Sequence, residues 1–494
     1  MIDEAVSKLV TYALRTGLIQ ENETVWAVNT ILDALKLDSY TDPGKEWGGL
    51  ELAPILEELL DDAHDRGVLT ENSVVYRDLF DTELMGRLTP RPAQVIETFQ
   101  SLYREDPKQA TDWYYAFSQA TNYIRMERIR KNIGFDTKSR YGTMHITINL
   151  SKPEKDPKDI ARARLVPSTN YPQCLLCKEN VGFAGNASHP ARQNHRIIEL
   201  DLRNGKYALQ YSPYVYYNEH CIILNEEHVP MKIDRETFEN LFSFVEQFPH
   251  YMAGSNTDIP IVGGSILTHD HYQGGRAHFP IEDAQSFAKR KVFGCEGELL
   301  NWPLSTIRLK DKDPEKLIDA SVRILEAWKG YDDPERHIVS QTNGQRHNAI
   351  TPIVRYKNGL YEIDLVLRNN RCSEQYPDGI FHPHAEHYHI KKENIGLIEV
   401  MGLAILPGRL KSELETIEKV LKKEITLEEA DGIDAHKLWV RALQKEEWSE
   451  GVHEKLLQAA GNKFVRVLEN AGVFKMDENG QAGFLQFVDC LNMK

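Results

Sequence analysis

Long hydrophobic runs are missing from this 494-residue chain, which has no stretch of consecutive apolar residues long enough to span a membrane. The first residues include Asp3 and Glu4 where a secretory signal would carry basic residues, and no apolar segment follows them. The six cysteines, four of them isolated in sequence, are too few for a disulfide framework. We therefore expect a reduced, cytoplasmic protein without a membrane segment.

Basic charge is also in short supply: 59 Lys and Arg stand against 74 Asp and Glu, a formal charge of −15. Coating a nucleic acid or an anionic membrane requires a surplus of basic residues, so neither partner is expected. The surplus of acid is uneven, because residues 1–120 carry −12 and residues 121–164 carry +6. The basic stretch is either a solvated charged surface or an element that faces phosphates.

Apolar residues in the first 120 positions recur at helical spacing, as in Val6, Leu9, Val10 and Ala13. The same pattern returns in residues 24–37 and 50–68. The tail from Leu410 onward is also helical in pattern. We predict a helical N-terminal segment and a helical C-terminal tail.

Between these ends the pattern changes to short β-like runs interrupted by single helices. Such runs cover residues 145–150, 196–202, 207–211, 220–224 and 259–264, with a helical pattern at 234–248. A second helix is predicted at 315–328, and Asn358-Gly359 predicts the turn of a hairpin. The chain is therefore expected to be α+β with mainly antiparallel sheets, divided into residues 1–120, 121–285 and 286–494.

Cys174-Leu-Leu-Cys177 is the first motif with chemical content. In a cytosolic protein this spacing indicates half of a zinc site or, less well with these flanking residues, a redox pair; chance is the third reading. His189 and His195 follow at nearly the spacing of a C2H2 finger, but Pro190 lies where the finger's helix would continue. The other ligands are therefore expected farther along the chain.

The second motif runs from Val262 to Arg276 and contains His269-Asp-His271-Tyr-Gln273. On an extended backbone these two histidines and the glutamine project from one face. Such a row can hold a metal at one end and carry a nucleophilic imidazole at the next position; a plain zinc site and two surface histidines are the other readings. The flanking glycines let backbone N–H groups approach an anion, and Arg276 adds charge.

The string Ile-Val-Gly-Gly-Ser-Ile-Leu-Thr-His-Asp-His-Tyr-Gln-Gly-Gly, residues 261–275, resembles the signature of type 2 galactose-1-phosphate uridylyltransferases, relatives of the histidine-triad superfamily. The length, the helical N-terminus and residues 146–157 are similar as well. The resemblance spans the chain. It implies two histidine-triad-like units, a catalytic one in residues 121–285 and a second one, with the C-terminal helices, in residues 286–494.

The resemblance also implies roles for individual residues. His271 would be the nucleophile that becomes uridylylated, His269 a zinc ligand, and Gln273 a donor to a phosphate oxygen. Ser265 and the backbone of Gly263 and Gly264 would stabilise the transferring phosphoryl group.

Lys152 and Lys155 are further candidates for phosphate contacts, on the local positive charge and on the likeness to a basic element of the type 1 enzymes. The same likeness implies a structural zinc bound by Cys174, Cys177, His228 and His269. A second metal, present in type 1 enzymes, is not expected.

The implied reaction passes the uridylyl group from UDP-glucose to galactose 1-phosphate through a covalent histidine, with ping-pong kinetics. A histidine-triad nucleotide hydrolase or phosphorylase is the competing enzyme, and a zinc module without catalysis is the other alternative. The resemblance suggests a homodimer. The choice of hexose stays open, as does the role of His382, His384, His387 and His389, which are either substrate contacts or a solvated loop.

Overall fold

The computed structural model describes residues 2–151, 170–448 and 450–492. It divides into two compact units: the first comprises Met1–Arg130, Ser151–Asp201 and Gly205–His228, and the second comprises Lys131–Leu150, Leu202–Asn204 and Val229–Lys494. Lys152 and Lys155 lie outside the described residues. The domain boundaries after residues 120 and 285 stay predictions.

The first unit begins with helices, as the periodicity predicts. Each helix buries one stripe of side chains along its length. In the first helix this stripe consists of Ala5, Val6, Leu9, Val10 and Ala13. The last two long helices start at a proline, whose missing N–H costs nothing there. The helices are α1 (Ile2–Arg15), α2 (Thr24–Leu35), α3 (Leu52–Asp65), α4 (Val74–Leu88), α5 (Pro92–Glu105), α6 (Pro107–Ala120) and α7 (Met126–Ile129).

Three predicted strands of the first unit are confirmed as β3 (Ile198–Leu202), β4 (Gly205–Tyr211) and β5 (Cys221–Asn225), in that order in the sheet. β4 and β5 are antiparallel, with Tyr207 opposite Asn225. The Tyr114 hydroxyl of α6 donates to the carbonyl of Arg196, 2.6 Å away, and thereby anchors this helix beside β3.

The main sheet of the second unit has the order β7-β6-β13-β14-β10-β9-β8, and every neighbouring pair is antiparallel. Its strands are β6 (Met252–Gly254), β7 (His271–Gly275), β8 (Ser286–Val292), β9 (Cys295–Leu300), β10 (Thr306–Asp311), β13 (Asn348–Lys357) and β14 (Leu360–Asn369). β11 (Gln341–Thr342) and β12 (Gln345–Arg346) form a separate short ribbon.

The hairpin predicted at Asn358-Gly359 joins β13 to β14, with Lys357 opposite Leu360. Both turn residues have positive φ, 55° and 79°, as this two-residue turn requires. The prediction is confirmed because the turn chemistry and the alternating pattern of the flanking strands agree.

A second sheet combines distant parts of the chain: β1 (Ile133–Ser139) pairs antiparallel with β2 (Gly142–Asn149), and β2 pairs parallel with β15 (Leu403–Pro407). The helices of this unit include those predicted at 234–248 and 315–328 and the predicted C-terminal tail. They are α8 (Arg235–Gln247), α9 (Pro314–Lys329), α10 (Leu397–Val400), α11 (Leu410–Leu421), α12 (Lys437–Leu443), α13 (Val452–Ala471) and α14 (Glu478–Leu491).

The α+β prediction is therefore confirmed, with one local correction. Residues 259–264 are not a strand but part of an irregular loop. The pairing of β6 with β13 ends just before this loop, at Ser255, whose N–H donates to the carbonyl of Pro352 at 3.0 Å. No helix among the described residues is long and apolar enough to cross a membrane.

Candidate functional site

The candidate nucleophile, His271, opens strand β7 and is buried. Its Nδ1 lies 2.8 Å from the backbone carbonyl oxygen of His269. Since a carbonyl can only accept, Nδ1 carries the proton and Nε2 keeps its lone pair. Burial lowers the pKa of His271 to about 4. The hydrogen bond to the carbonyl acts in the opposite direction but is the smaller effect. The imidazole is therefore neutral near pH 7 and nucleophilic at Nε2.

Gln273 lies two residues further on the same strand, so its side chain shares a face with that of His271. It stands opposite Gly254 of β6. His269, however, precedes the strand, which begins only at His271. The expectation that all three side chains project from one extended strand is therefore wrong for His269, because the chain bends at that residue.

The glycine loop, residues 256–265, precedes the two histidines and packs its backbone tightly. A Cβ on Gly263 would come within 2.5 Å of the carbonyl oxygen of Ile259, and one on Gly264 within 2.8 Å of Nδ2 of Asn256. Both positions therefore require glycine on steric grounds. Ile261 has a φ of 74°, a left-handed conformation that is rare and costly for a β-branched residue.

Two further candidates lie in different surroundings. Ser265 is exposed at the end of the glycine loop, and Arg276 is half-buried directly after β7. Neighbouring Gly275, at a φ of 145°, pairs with Met252 of β6. The structure thus places Ser265, His271, Gln273 and Arg276 on one loop and the strand that follows it.

The cysteine motif forms part of a group that could hold a metal ion. The Sγ atoms of Cys174 and Cys177 are 3.5 Å apart, and Cys177 Sγ is 3.1 Å from Nδ1 of His228. One ligand atom of each of Cys174, Cys177 and His228 lies within 4.8 Å of the other two. Two sulfurs and an imidazole nitrogen at such spacings fit three ligands of a tetrahedral ion with bonds of about 2.0 to 2.3 Å, and His269 stays the predicted fourth ligand.

Backbone hydrogen bonds join the segment that follows His228 to the segment around His269, 41 positions farther along the chain. The N–H of Asp270 donates to the carbonyl of Val229 at 2.7 Å, and the N–H of Met231 donates to that of Leu267 at 2.9 Å. The segments that follow His228 and surround His269 therefore run side by side. Nothing in the local sequence of either segment signals this pairing.

The finger-like alternative is wrong, because His189 and His195 have other partners. His189 Nε2 lies 2.7 Å from Oδ1 of Asn180, whose Nδ2 donates to the carbonyls of Cys174 and Cys177 at 2.9 and 2.7 Å. His195 is buried against Gln210, 2.9 Å away. His189 thus supports the cysteine loop through an asparagine.

The four clustered histidines between residues 382 and 389 do not form a solvated loop, since three of them are buried and His384 is half-buried. His382 contacts Asn394, His384 contacts Asn470, and His389 contacts His436. Sequence reasoning left their roles open and missed Asn256 and Asn394 entirely. Single asparagines in irregular segments carry no periodic or motif signal.

Comparisons with known proteins agree with this geometry. Two family profiles match: galactose-1-phosphate uridyl transferase, N-terminal domain, over residues 30–230, and its C-terminal domain over residues 240–439. The galactose-1-phosphate uridylyltransferase of Clostridium acetobutylicum is 50% identical over 99% of this chain and 100% of its own. That of Fusobacterium nucleatum is 48% identical over 98% of both chains.

The crystal structure of yeast Ap4A phosphorylase aligns with a TM-score of 0.31 and 12% identity, over 59% of this chain and 85% of that chain. This likeness is too low to bear on the fold.

An α+β chain with a buried, neutral histidine after a glycine loop, matched by two uridyl transferase profiles, belongs to the class of nucleotidyltransferases. More specifically, the chain belongs to the galactose-1-phosphate uridylyltransferase family, enzymes of galactose metabolism. The resemblance stated from the sequence is confirmed over both matched domains. A zinc module without catalysis is excluded by this membership.

Proposed function

We propose that this protein transfers a uridylyl group from UDP-glucose to galactose 1-phosphate, giving UDP-galactose and glucose 1-phosphate, with His271 as the covalent carrier. The observation that carries the role of His271 is its hydrogen bond from Nδ1 to the carbonyl of His269. This bond leaves Nε2 unprotonated and fixes the orientation of the ring, which are the two requirements for a nucleophilic imidazole.

In the first step the Nε2 lone pair of His271 forms a bond to the α-phosphorus while the bond from that phosphorus to the bridging oxygen breaks. Glucose 1-phosphate leaves with the electron pair. In the second step a phosphate oxygen of galactose 1-phosphate attacks the same phosphorus, and the P–N bond breaks to restore the lone pair. No proton transfer is needed, because the attacking group is already an anion. One site serves both substrates in turn, which produces ping-pong kinetics.

The residues around His271 support charge stabilisation during this transfer. Gln273 shares its face of β7, and the tight packing of Gly263 and Gly264 is what a backbone needs to approach a phosphate closely. Ser265 and Arg276 flank the same segment. Lys152 and Lys155 are proposed phosphate contacts on the local positive charge and on the likeness to a basic element of the type 1 enzymes.

We infer that the metal group binds zinc, with Cys174, Cys177, His228 and His269 as ligands. The donor set of two thiolates and two imidazoles supports zinc, and four protein ligands leave no open position for substrate. The ion would therefore stabilise the fold. His269 would bind the metal through its ring and accept the hydrogen bond from Nδ1 of His271 through its backbone carbonyl.

The competing activity is hydrolysis or phosphorolysis of a nucleotide, as in histidine-triad enzymes. Hydrolases of that superfamily usually carry a third histidine where this chain has Gln273. The absence of an imidazole at this position favours transfer to a sugar phosphate over activation of water. The two activities differ in product: hydrolysis of UDP-glucose releases UMP, whereas transfer in the presence of galactose 1-phosphate releases UDP-galactose.

The decisive experiment compares His271→Ala with His278→Ala, a change at an exposed histidine paired with Asp283. Incubation with UDP-glucose labelled in the α-phosphate should leave acid-labile label on the wild type and on His278→Ala, and none on His271→Ala. Exchange with a panel of hexose 1-phosphates should fall by at least about 10³-fold in His271→Ala only. Retained exchange in this variant would refute the covalent mechanism, and UMP release without exchange would favour the hydrolase.

The resemblance further supports a homodimer in the cytoplasm. The acid surplus argues against nucleic acid as a partner, and it does not exclude a small phosphorylated ligand, which needs only a local cluster of basic residues.

A further inference from the structure

Two carbonyl groups of the glycine loop are bound by asparagines from a distant part of the sequence. Nδ2 of Asn370 donates to the carbonyl of Pro260 at 3.2 Å, and Nδ2 of Asn394 donates to that of Gly263 at 3.5 Å. Asn370 directly follows β14, and Asn394 lies just before α10. The loop that contributes backbone groups to the proposed site is therefore held from residues more than 100 positions away.

Each asparagine is in turn held by a buried histidine. Oδ1 of Asn370 lies 2.8 Å from Nδ1 of His347, and Oδ1 of Asn394 lies 3.2 Å from Nε2 of His382. His347 immediately precedes β13, whose first residue stands opposite Asn369, and this register places His347 beside Asn370. We call these the His347–Asn370 pair and the His382–Asn394 pair.

The chemistry of the acceptors determines the proton positions in both pairs. A peptide carbonyl can only accept, so each asparagine must turn its N–H toward the loop and its oxygen toward the histidine. To reach the asparagine oxygens the histidines must then donate, His347 from Nδ1 and His382 from Nε2; Nδ1 of His382 also lies 3.1 Å from the carbonyl oxygen of Pro383, so both nitrogens of this ring face oxygen acceptors. Each pair thus has one polarity, from ring N–H through the amide to a loop carbonyl. A substitution that moves the donating N–H to the position of the other ring nitrogen would break this series of hydrogen bonds.

Holding a carbonyl also orients the next N–H group. In a trans peptide the C=O and the following N–H point in opposite directions in one plane. The bond to Gly263 therefore sets the direction of the Gly264 N–H, and the bond to Pro260 sets that of the Ile261 N–H. Ile261 has the rare left-handed φ of 74°, a conformation that persists only where surrounding contacts impose it.

Two more contacts hold the same loop from the same part of the chain. Arg346 pairs with Asp258 at 2.7 Å, and the N–H of Leu397 donates to Oδ1 of Asn256 at 2.9 Å. Asn256 is the residue whose amide packs against Gly264. Four attachments thus fall within eight residues of the loop, at positions 256, 258, 260 and 263.

We propose that His347 with Asn370 and His382 with Asn394 are positioning residues of the uridylyl transfer, which hold the glycine loop so that its backbone N–H groups meet the transferring phosphoryl group. This inference rests on the proposed function. It assigns His382 a role other than the two alternatives that the sequence left open, a substrate contact or a residue of a solvated loop. The pairs act through the loop and contact no substrate.

The test uses the different donor nitrogens of the two rings. A glutamine amide nitrogen occupies about the position of Nε2, whereas an asparagine amide nitrogen occupies about that of Nδ1. We expect His382→Leu and His347→Leu to lower kcat by about 10- to 100-fold with KM within about threefold of wild type, because misplacement affects the transition state most. His382→Gln and His347→Asn should recover most of kcat. The exchanged variants, His382→Asn and His347→Gln, should stay impaired.

His436→Gln is the matched control, since His436 is fully buried but contacts His389 and Glu413 instead of the loop. Its kcat should stay within about twofold of wild type. Equal activity of the Gln and Asn variants at either position, or a fall in kcat no larger than in the control, would overturn the proposal.

A second measurement is independent of the reaction. Amide hydrogen exchange of residues 256–264 should be at least about tenfold faster in the two Leu variants than in wild type and His436→Gln. If exchange changes as expected but wild type does not transfer uridylyl groups, the proposed function fails while the attachment of the loop stands. Unchanged exchange in both Leu variants would refute the positioning role.

Discussion

Several histidines in this protein are buried side chains that form hydrogen bonds. His195 is an example away from the proposed site: it stacks on Tyr123, with ring centroids 4.1 Å apart, and donates from Nε2 to Gln210. Burial lowers the pKa of His195 to about 3, and the nearby cation of Arg192 acts in the same direction. The same preference for a neutral ring at His271 serves chemistry, because a neutral imidazole offers a lone pair.

The depressed pKa of His195 predicts acid sensitivity. The unfolded chain binds a proton at His195 below about pH 6.5, whereas the folded chain does so only near pH 3. The stability that the neutral ring provides is therefore complete above pH 6.5 and lost as the pH falls toward 3. We expect His195→Gln to reduce the loss of unfolding free energy between pH 7 and 4.5 by about 2 to 3 kcal/mol. Urea titrations at both pH values measure this difference, and parallel losses in variant and wild type would contradict it.

At the scale of elements, polar and steric complementarity decide how strands and helices meet in the second unit. Asp364 of β14 is buried between Arg308 of β10 and Arg355 of β13, at 2.6 and 2.8 Å. Burial alone would raise the pKa of Asp364, but the two guanidinium groups outweigh it and hold the pKa at about 2. The charge network thus ties three strands together at neutral pH.

Helix α13 crosses strand β1 at a glycine, and this contact carries a prediction. A Cβ on Gly461 would lie 1.7 Å from Oγ1 of Thr137, which is fully buried. Gly461→Ala should therefore destabilise the protein by about 1 to 3 kcal/mol, in spite of the better helix propensity of alanine. Gly330→Ala is the control, because nothing lies within 4 Å of a Cβ there. Thermal midpoints should fall for Gly461→Ala only, and equal midpoints would show that the helix can shift.

At the scale of the whole molecule, the net charge of −15 says little about the chemistry. Most of it belongs to residues 1–120, which fold as amphipathic helices with acidic exposed faces. The proposed site is built mainly from neutral groups, an imidazole, an amide, a hydroxyl and backbone N–H, with Arg276, Lys152 and Lys155 as the proposed cations nearby. Such a site can bind and release phosphates repeatedly without a large fixed charge. The proposed zinc ion is different, because its binding would contribute to the folding stability of the whole chain.

Metal removal should lower the stability of the whole chain, because binding of a structural ion contributes directly to folding. We expect wild type to contain about one zinc per chain and His228→Ala to lose most of it, with a thermal midpoint several degrees lower. His189→Ala should keep its zinc, since His189 contacts Asn180 instead of joining the ligand group. Metal analysis after dialysis distinguishes the variants, and loss of metal from His189→Ala alone would refute the proposed ligand set.

Much of this fold was predictable because its signals are local. Helical periodicity before residue 120, the strands β3, β4 and β5, and the turn at Asn358-Gly359 were read from patterns within about ten residues. The strand predicted at 259–264 was wrong, because its apolar residues are buried by loop packing instead of a pleated ladder. A run of apolar residues can be buried either in a strand or in a packed loop, so the pattern alone does not distinguish the two.

The amino-acid sequence by itself determined the residue types of the proposed chemistry: the two cysteines, the His269-x-His271-x-Gln273 row and the glycines before it. These lie close in sequence or in one motif, so their spacing could be read. Only the tertiary structure shows that Nδ1 of His228, a ligand that the family resemblance alone implied, lies beside Cys177, and that Asn370 and Asn394 bind carbonyls of the glycine loop. Those contacts join residues 51 to 131 positions apart, and hydrogen bonds at that separation leave no periodic trace in the chain.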